Sequence, residues 1–179
     1  MSWAHSNGCG CATHFGSGHR EIRRADAWAA GCGWWALLFV ALVAVWAMVP
    51  RLPGPSARDF SDLLGSDRGA AFFSGAWGWL ALIVVFVVFN TVLGEELLFR
   101  GLLLPRMRAV FGRWDWVANG VLFTLYHLHE SWVMPATLVE GIFLEAYPAR
   151  RFQSTWMAII VHSVQSVFVI AVVLALVLR

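Results

Sequence analysis

Leu80-Ala81-Leu82-Ile83-Val84-Val85-Phe86-Val87-Val88-Phe89 runs without a charge into Asn90-Thr91-Val92-Leu93-Gly94. Two acids and a base then interrupt it, as Glu95-Glu96-Leu97-Leu98-Phe99-Arg100. The apolar part has no polar face to turn to water, so it reads as a helix in hydrocarbon rather than on a soluble surface. The charges inside its continuation are therefore the informative residues. A charged side chain at mid-membrane costs about 2.5–3.5 kcal/mol even on the lenient insertion scale, so such residues face a bundle interior.

Composition supports that setting. Of 179 residues, 59% are hydrophobic and 13% charged, and the mean hydropathy is +0.67. A soluble domain carries about a quarter charged residues to wet its surface. This chain has too few, and the predicted class is an all-α polytopic membrane bundle. Disorder, a coiled coil, a nucleic-acid binder and a disulfide-stapled secreted domain are excluded. Three cysteines, Cys9, Cys11 and Cys32, form no disulfide framework. His5, Cys9, Cys11, His14 and His19 crowd the first twenty residues, but their spacing matches no zinc module. Residues 1–26 are expected to be a flexible cytoplasmic tail, followed by one membrane-embedded domain over 27–179. No cleavable signal peptide is predicted, because the first long apolar run is long enough to span.

About twenty helical residues cross the hydrocarbon core. Five spans are predicted: Ala27–Val49, Phe72–Leu93 with its pattern continuing to Leu104, Trp114–Leu128, Trp132–Tyr147 and Thr155–Leu178. Pro105 is expected to stop the second. Arg20, Arg23 and Arg24 precede span one, Arg106, Arg108 and Arg113 follow span two, and Arg150 and Arg151 follow span four. An N-terminus inside puts all of these in the cytoplasm, as the positive-inside rule requires. The location expected is the cell membrane, multi-pass.

Counted from the cytoplasmic ends at about 1.5 Å per residue, Glu95 lies roughly 16 Å deep, His127 roughly 20 Å and His162 roughly 14 Å. Three helices thus bring an ionisable side chain to similar depth. Glu96 and Arg100, at i and i+4, share a helix face and read first as an interior ion pair. Glu95 is turned about 100° from Glu96 and can face another neighbour. A carboxylate withdrawn from water suits general-base work. Phe123, one turn before His127, can pack beneath its imidazole. Gln165 and Ser166 follow His162 by three and four residues on one face, and converging donors are what an oxyanion needs. Glu140 and Glu145 lie in span four. Glu140 is expected to pair with Gln165 or His129, while His129 and Glu130 read as interfacial.

At these residues the chain resembles the CAAX-protease and bacteriocin-processing (CPBP, or Abi) family of intramembrane endopeptidases. Its EExxxR motif stands as Glu95-Glu96-Leu97-Leu98-Phe99-Arg100, and its FxxxH motif as Phe123-Thr124-Leu125-Tyr126-His127. Its last motif, histidine then asparagine four residues on, stands in part as His162-Ser163-Val164-Gln165-Ser166. The resemblance covers roughly residues 72–170 and implies an all-helical peptidase cutting a peptide bond within the bilayer. It implies catalytic roles for Glu95, His127 and His162, accompanied by Glu96 and Arg100. Glu95 and His127 would activate a water, and His162 would hold the oxyanion. Ser166 replaces the family's asparagine and can donate one hydrogen bond only, so Gln165 and Ser166 are both oxyanion candidates.

No cofactor is expected on the glutamate–water reading. Zinc is the alternative, held by Glu95, His127 and His162, since two histidines and a glutamate suit catalytic zinc. The expected partners are a membrane-associated peptide or protein substrate, prenylated or bacteriocin-like, and the lipid bilayer, with no nucleic acid. The rival from another class is a non-catalytic membrane immunity or scaffold protein keeping the family fold, a reading that the Ser166 exchange favours.

Overall fold

The computed structural model describes residues 58–179 together with 33–35, 37, 40, 41 and 44. The tail 1–26, its His/Cys cluster and most of the first predicted span lie outside the described residues. Those residues described between 33 and 44 are helical.

Every element among the described residues is helical. Two short helices come first, α1 (Phe60–Leu64) and α2 (Asp67–Phe73). Asp59 caps α1 by accepting from Ser61 N at 2.8 Å, and Ser66 caps α2 by accepting from Gly69 N at 3.0 Å. Side-chain acceptors of this kind satisfy amides that a helix start leaves unpaired. A long run follows as α3 (Trp77–Val88), a π-helical stretch Phe89–Leu103, and α4 (Leu104–Phe111). A short 3₁₀ turn leads into α5 (Asp115–Tyr126), then a second, Leu128–Glu130. Helix α6 (Met134–Val139) passes through another π stretch, Glu140–Ala146, into α7 (Tyr147–Phe152). Helix α8 (Thr155–Val177) closes the bundle.

Several boundaries differ from expectation for identifiable reasons. Phe72 and Phe73 end α2 rather than opening a span, because Gly75 (φ 68°) turns the chain before Trp77. The region 60–70, between the first two predicted spans, holds α1 and the start of α2. Pro105 does not stop its helix. Both π stretches run directly into a proline, at Leu104-Pro105 and Tyr147-Pro148. Proline ends an α-helix because it lacks N–H and its ring meets the carbonyl four residues back. The wider turn bonds five residues back instead, Leu104 N–H to Phe99 O and Tyr147 N–H to Ile142 O. The helix therefore carries on past each proline, and Arg150 and Arg151 stand on α7 rather than in a loop.

Among the described residues, two helical stretches are long and apolar enough to cross a membrane: Trp77–Tyr126, taken through its turn at Gly112, and Thr155–Val177. The outside of the bundle is apolar, with Leu82, Phe86, Val167 and Phe168 all more than half exposed. A surface this apolar is solvated by lipid rather than water. Inside, Phe73 packs with Val173, Leu176 and Val177 at one end of the bundle. Leu104, Ala146, Ala149 and Ala158 meet in a second cluster, where alanines let α4, α7 and α8 approach. A close approach lies between α5 and the second π stretch. A Cβ on Gly120 would stand 2.6 Å from Ile142 N, and one on Gly141 would stand 2.9 Å from Phe123 Cδ1. Glycine is required at that crossing, as small residues are wherever membrane helices touch backbone to backbone. It brings Phe123 and the following turn against the helix that carries Glu145.

Candidate active site

The first π stretch, the end of α5, the second π stretch and α8 converge on one polar centre. Glu95 and Glu96, adjacent in sequence, serve different partners. The carboxylate of Glu95 lies between two imidazoles, with Oε1 3.7 Å from His127 Nε2 and Oε2 3.6 Å from His162 Nε2. Asn90 Nδ2 donates to Glu95 Oε1 at 2.8 Å. Glu96 Oε1 accepts from Arg100 Nη1 at 3.0 Å and lies 2.9 Å from His162 Nδ1.

The tautomers follow from these partners. His127 Nδ1 lies 3.0 Å from the Phe123 carbonyl. That oxygen can only accept, so Nδ1 carries the proton and a neutral ring presents the Nε2 lone pair towards Glu95. His162 Nδ1 likewise donates to the Glu96 carboxylate. Polar atoms 3.6–3.7 Å apart are too distant for direct bonds and are spaced for a water or a substrate oxygen between them.

Arg100 is fully buried and is the hub of the centre. It reaches Glu96, the Gly141 carbonyl at 3.4 Å, and Glu145, whose carboxylate lies close against its Nη2. The guanidinium stands 4.2 Å from the centroid of the Phe123 ring. Phe123 also meets the His127 ring at 4.6 Å and the His162 ring at 6.3 Å, so one phenyl supports the arginine and both histidines.

A cavity of about 190 Å³ opens on this centre. Glu95, His127, His162, Gln165 and Ser166 face it with Asn90 and Thr91, while Phe86, Val87 and Val169 supply apolar walls. The five residues singled out for catalysis are thus brought together: Glu95, His127 and His162 on the cavity, Glu96 and Arg100 directly behind it. The two oxyanion candidates separate. Ser166 Oγ lies 3.1 Å from Thr91 Oγ1 and shares a hydrogen bond with it.

Three residues had no assigned role in the sequence. Glu145 is Arg100's second acid, and Asn90 and Thr91 hold Glu95 and Ser166. Glu140 pairs with neither Gln165 nor His129; it makes no hydrogen bond or ion pair among the described residues. The second π stretch turns Glu145, not Glu140, to the guanidinium. His129 stands beside His127. Helix α5 ends at Tyr126, and the two rings lie nearly parallel with centroids 6.1 Å apart.

Among the described residues, Glu96, Glu145 and His162 offer ligand atoms within 4.8 Å of one another. This is not the set Glu95, His127 and His162 named for zinc. Arg100 already bonds both of its carboxylates, so a cation there would have to displace or face a guanidinium. That cluster does not fit a metal.

The family model described as Type II CAAX prenyl endopeptidase Rce1-like matches residues 76–177, more than half of the chain, and the chain belongs to that family. No curated protein and no solved structure matches it.

Proposed function

We propose that the chain is an intramembrane endopeptidase that hydrolyses a peptide bond of a membrane-associated peptide, prenylated or bacteriocin-like, with water activated by Glu95 and His127. The observation carrying this reading is the Glu95 carboxylate suspended between His127 Nε2 and His162 Nε2 on the cavity wall. A water there donates one proton to Glu95 and the other to the His127 lone pair, leaving its oxygen free to attack. Glu95 takes the proton as the carbon–oxygen bond forms, then gives it to the amine as the carbon–nitrogen bond breaks. His162, doubly protonated, presents Nε2–H to the oxyanion while Glu96 orients the ring through Nδ1. Gln165 is the better second donor, because Thr91 engages Ser166.

Glu96, Arg100 and Glu145 form the scaffold that fixes His162. They supply no protons. The chemistry proposed is metal-free, with Glu95 Oε1 and His127 Nε2 spaced to hold a water between them. The test is cleavage of a fluorogenic membrane-peptide library by purified protein in lipid, with Glu95→Ala as the inactive control.

We also infer five spans with a cytoplasmic N-terminus in the cell membrane. The ion pair between Arg150 and Asp115 supports this, because it joins the 105–115 and 148–152 connections at one end of the bundle. Single cysteines introduced near Arg108 and Arg151 should react with an impermeant thiol reagent only after the cytoplasmic side is opened. Labelling of either in intact cells contradicts the orientation.

A further inference from the structure

Asn90 and Glu95 are five residues apart. In an α-helix such residues point roughly 140° away from each other and cannot bond. Here the i→i+5 winding of Phe89–Leu103 brings them onto neighbouring positions, and Asn90 Nδ2 reaches Glu95 Oε1 at 2.8 Å. The next residue, Thr91, bonds Ser166 on α8. Both side chains line the cavity. The wide turn therefore does two things at once: it clamps the acid, and it ties the clamp to the opposite wall.

We propose that Asn90 is the positioning residue for Glu95, its amide fixing the carboxylate between the two imidazoles. This rests on Glu95 as the general base. The other groups facing Glu95 cannot do this job. His127 and His162 stand 3.7 and 3.6 Å away, and Arg100 is bonded to Glu96 and Glu145. Asn90 is the neighbour at direct hydrogen-bond distance from this carboxylate among the described residues. Without it, Glu95 rotates about its own bonds and the water site between acid and imidazole is lost for part of the time.

A hydrogen bond to a charged group is worth enough for an effect of about 10–100-fold. Asn90→Ala should lower kcat by that factor with KM nearly unchanged. Asn90→Leu keeps nearly the same shape but removes the donor without adding charge, and it should be no better than Asn90→Ala. If Asn90 only fills space, Asn90→Leu retains wild-type kcat, and the proposal is overturned. A second readout does not need turnover. The carboxylate stretch assigned to Glu95, from infrared difference spectra of wild type against Glu95→Gln, should shift in Asn90→Ala. An unshifted band overturns the clamp even in an active enzyme. A band that shifts in Asn90→Ala while the wild-type protein cleaves nothing would instead overturn the peptidase reading.

Discussion

His162 and Arg100 meet on one atom, Oε1 of Glu96, at 2.9 and 3.0 Å. A single carboxylate oxygen thus links the arginine of the first π stretch to the histidine of α8. Glu95, one residue earlier, bonds neither and is left to the cavity. The division of labour between the two acids follows from that geometry.

Glu96→Gln should therefore destabilise the protein more than Glu95→Gln. Removing one member of a buried ion pair costs about 3–5 kcal/mol, and Glu145 remains as a partner for Arg100, so the loss should fall at the low end. Folded yield and melting temperature in detergent measure this. Equal melting temperatures for the two variants would contradict the assignment.

Glu145 and Glu140 make a second contrast. Glu145 is buried against Arg100, whereas Glu140 has no such partner among the described residues. Glu145→Gln should lower the melting temperature about as much as Glu96→Gln, while Glu140→Gln should leave it unchanged or raise it. The reverse order would mean that the second π stretch is wound differently from the structure.

The donors beyond His162 are separable too. Losing one oxyanion donor typically costs 10²–10³ in turnover. Gln165→Ala should cut kcat by about that factor and Ser166→Ala by less, since Ser166 is shared with Thr91. Ser166→Asn should partly rescue Gln165→Ala with KM little altered. Full activity in Gln165→Ala alongside an inactive Ser166→Ala would contradict this assignment.

The all-helical fold and the meeting of Glu95, Glu96, Arg100, His127 and His162 were legible because polar residues in an apolar helix need partners, and few were on offer. What could not be seen was winding. Depth counting and the 100° rule assume α geometry, and they place Asn90 on the wrong side of Glu95. The same assumption left Glu145 without a role, made Pro105 a terminator and carried the helix through His127. Each miss lies in or beside a segment where the backbone departs from α winding, and hydropathy does not report that departure. The glycine crossing at Gly120 and Gly141 was hidden for a related reason: which glycines touch depends on how the helices pass.

The central claim is that Glu95, with His127 and no metal, activates the attacking water. The measurement that tests it most directly is the cleavage rate of a membrane peptide by purified protein, after exhaustive chelation, for wild type and for Glu95→Gln. Wild type should keep its rate after chelation, and Glu95→Gln, which retains the fold, should lose at least 10²-fold, the usual minimum for a general base. A wild-type rate abolished by chelation and restored by zinc, or a Glu95→Gln variant as fast as wild type, would contradict the account.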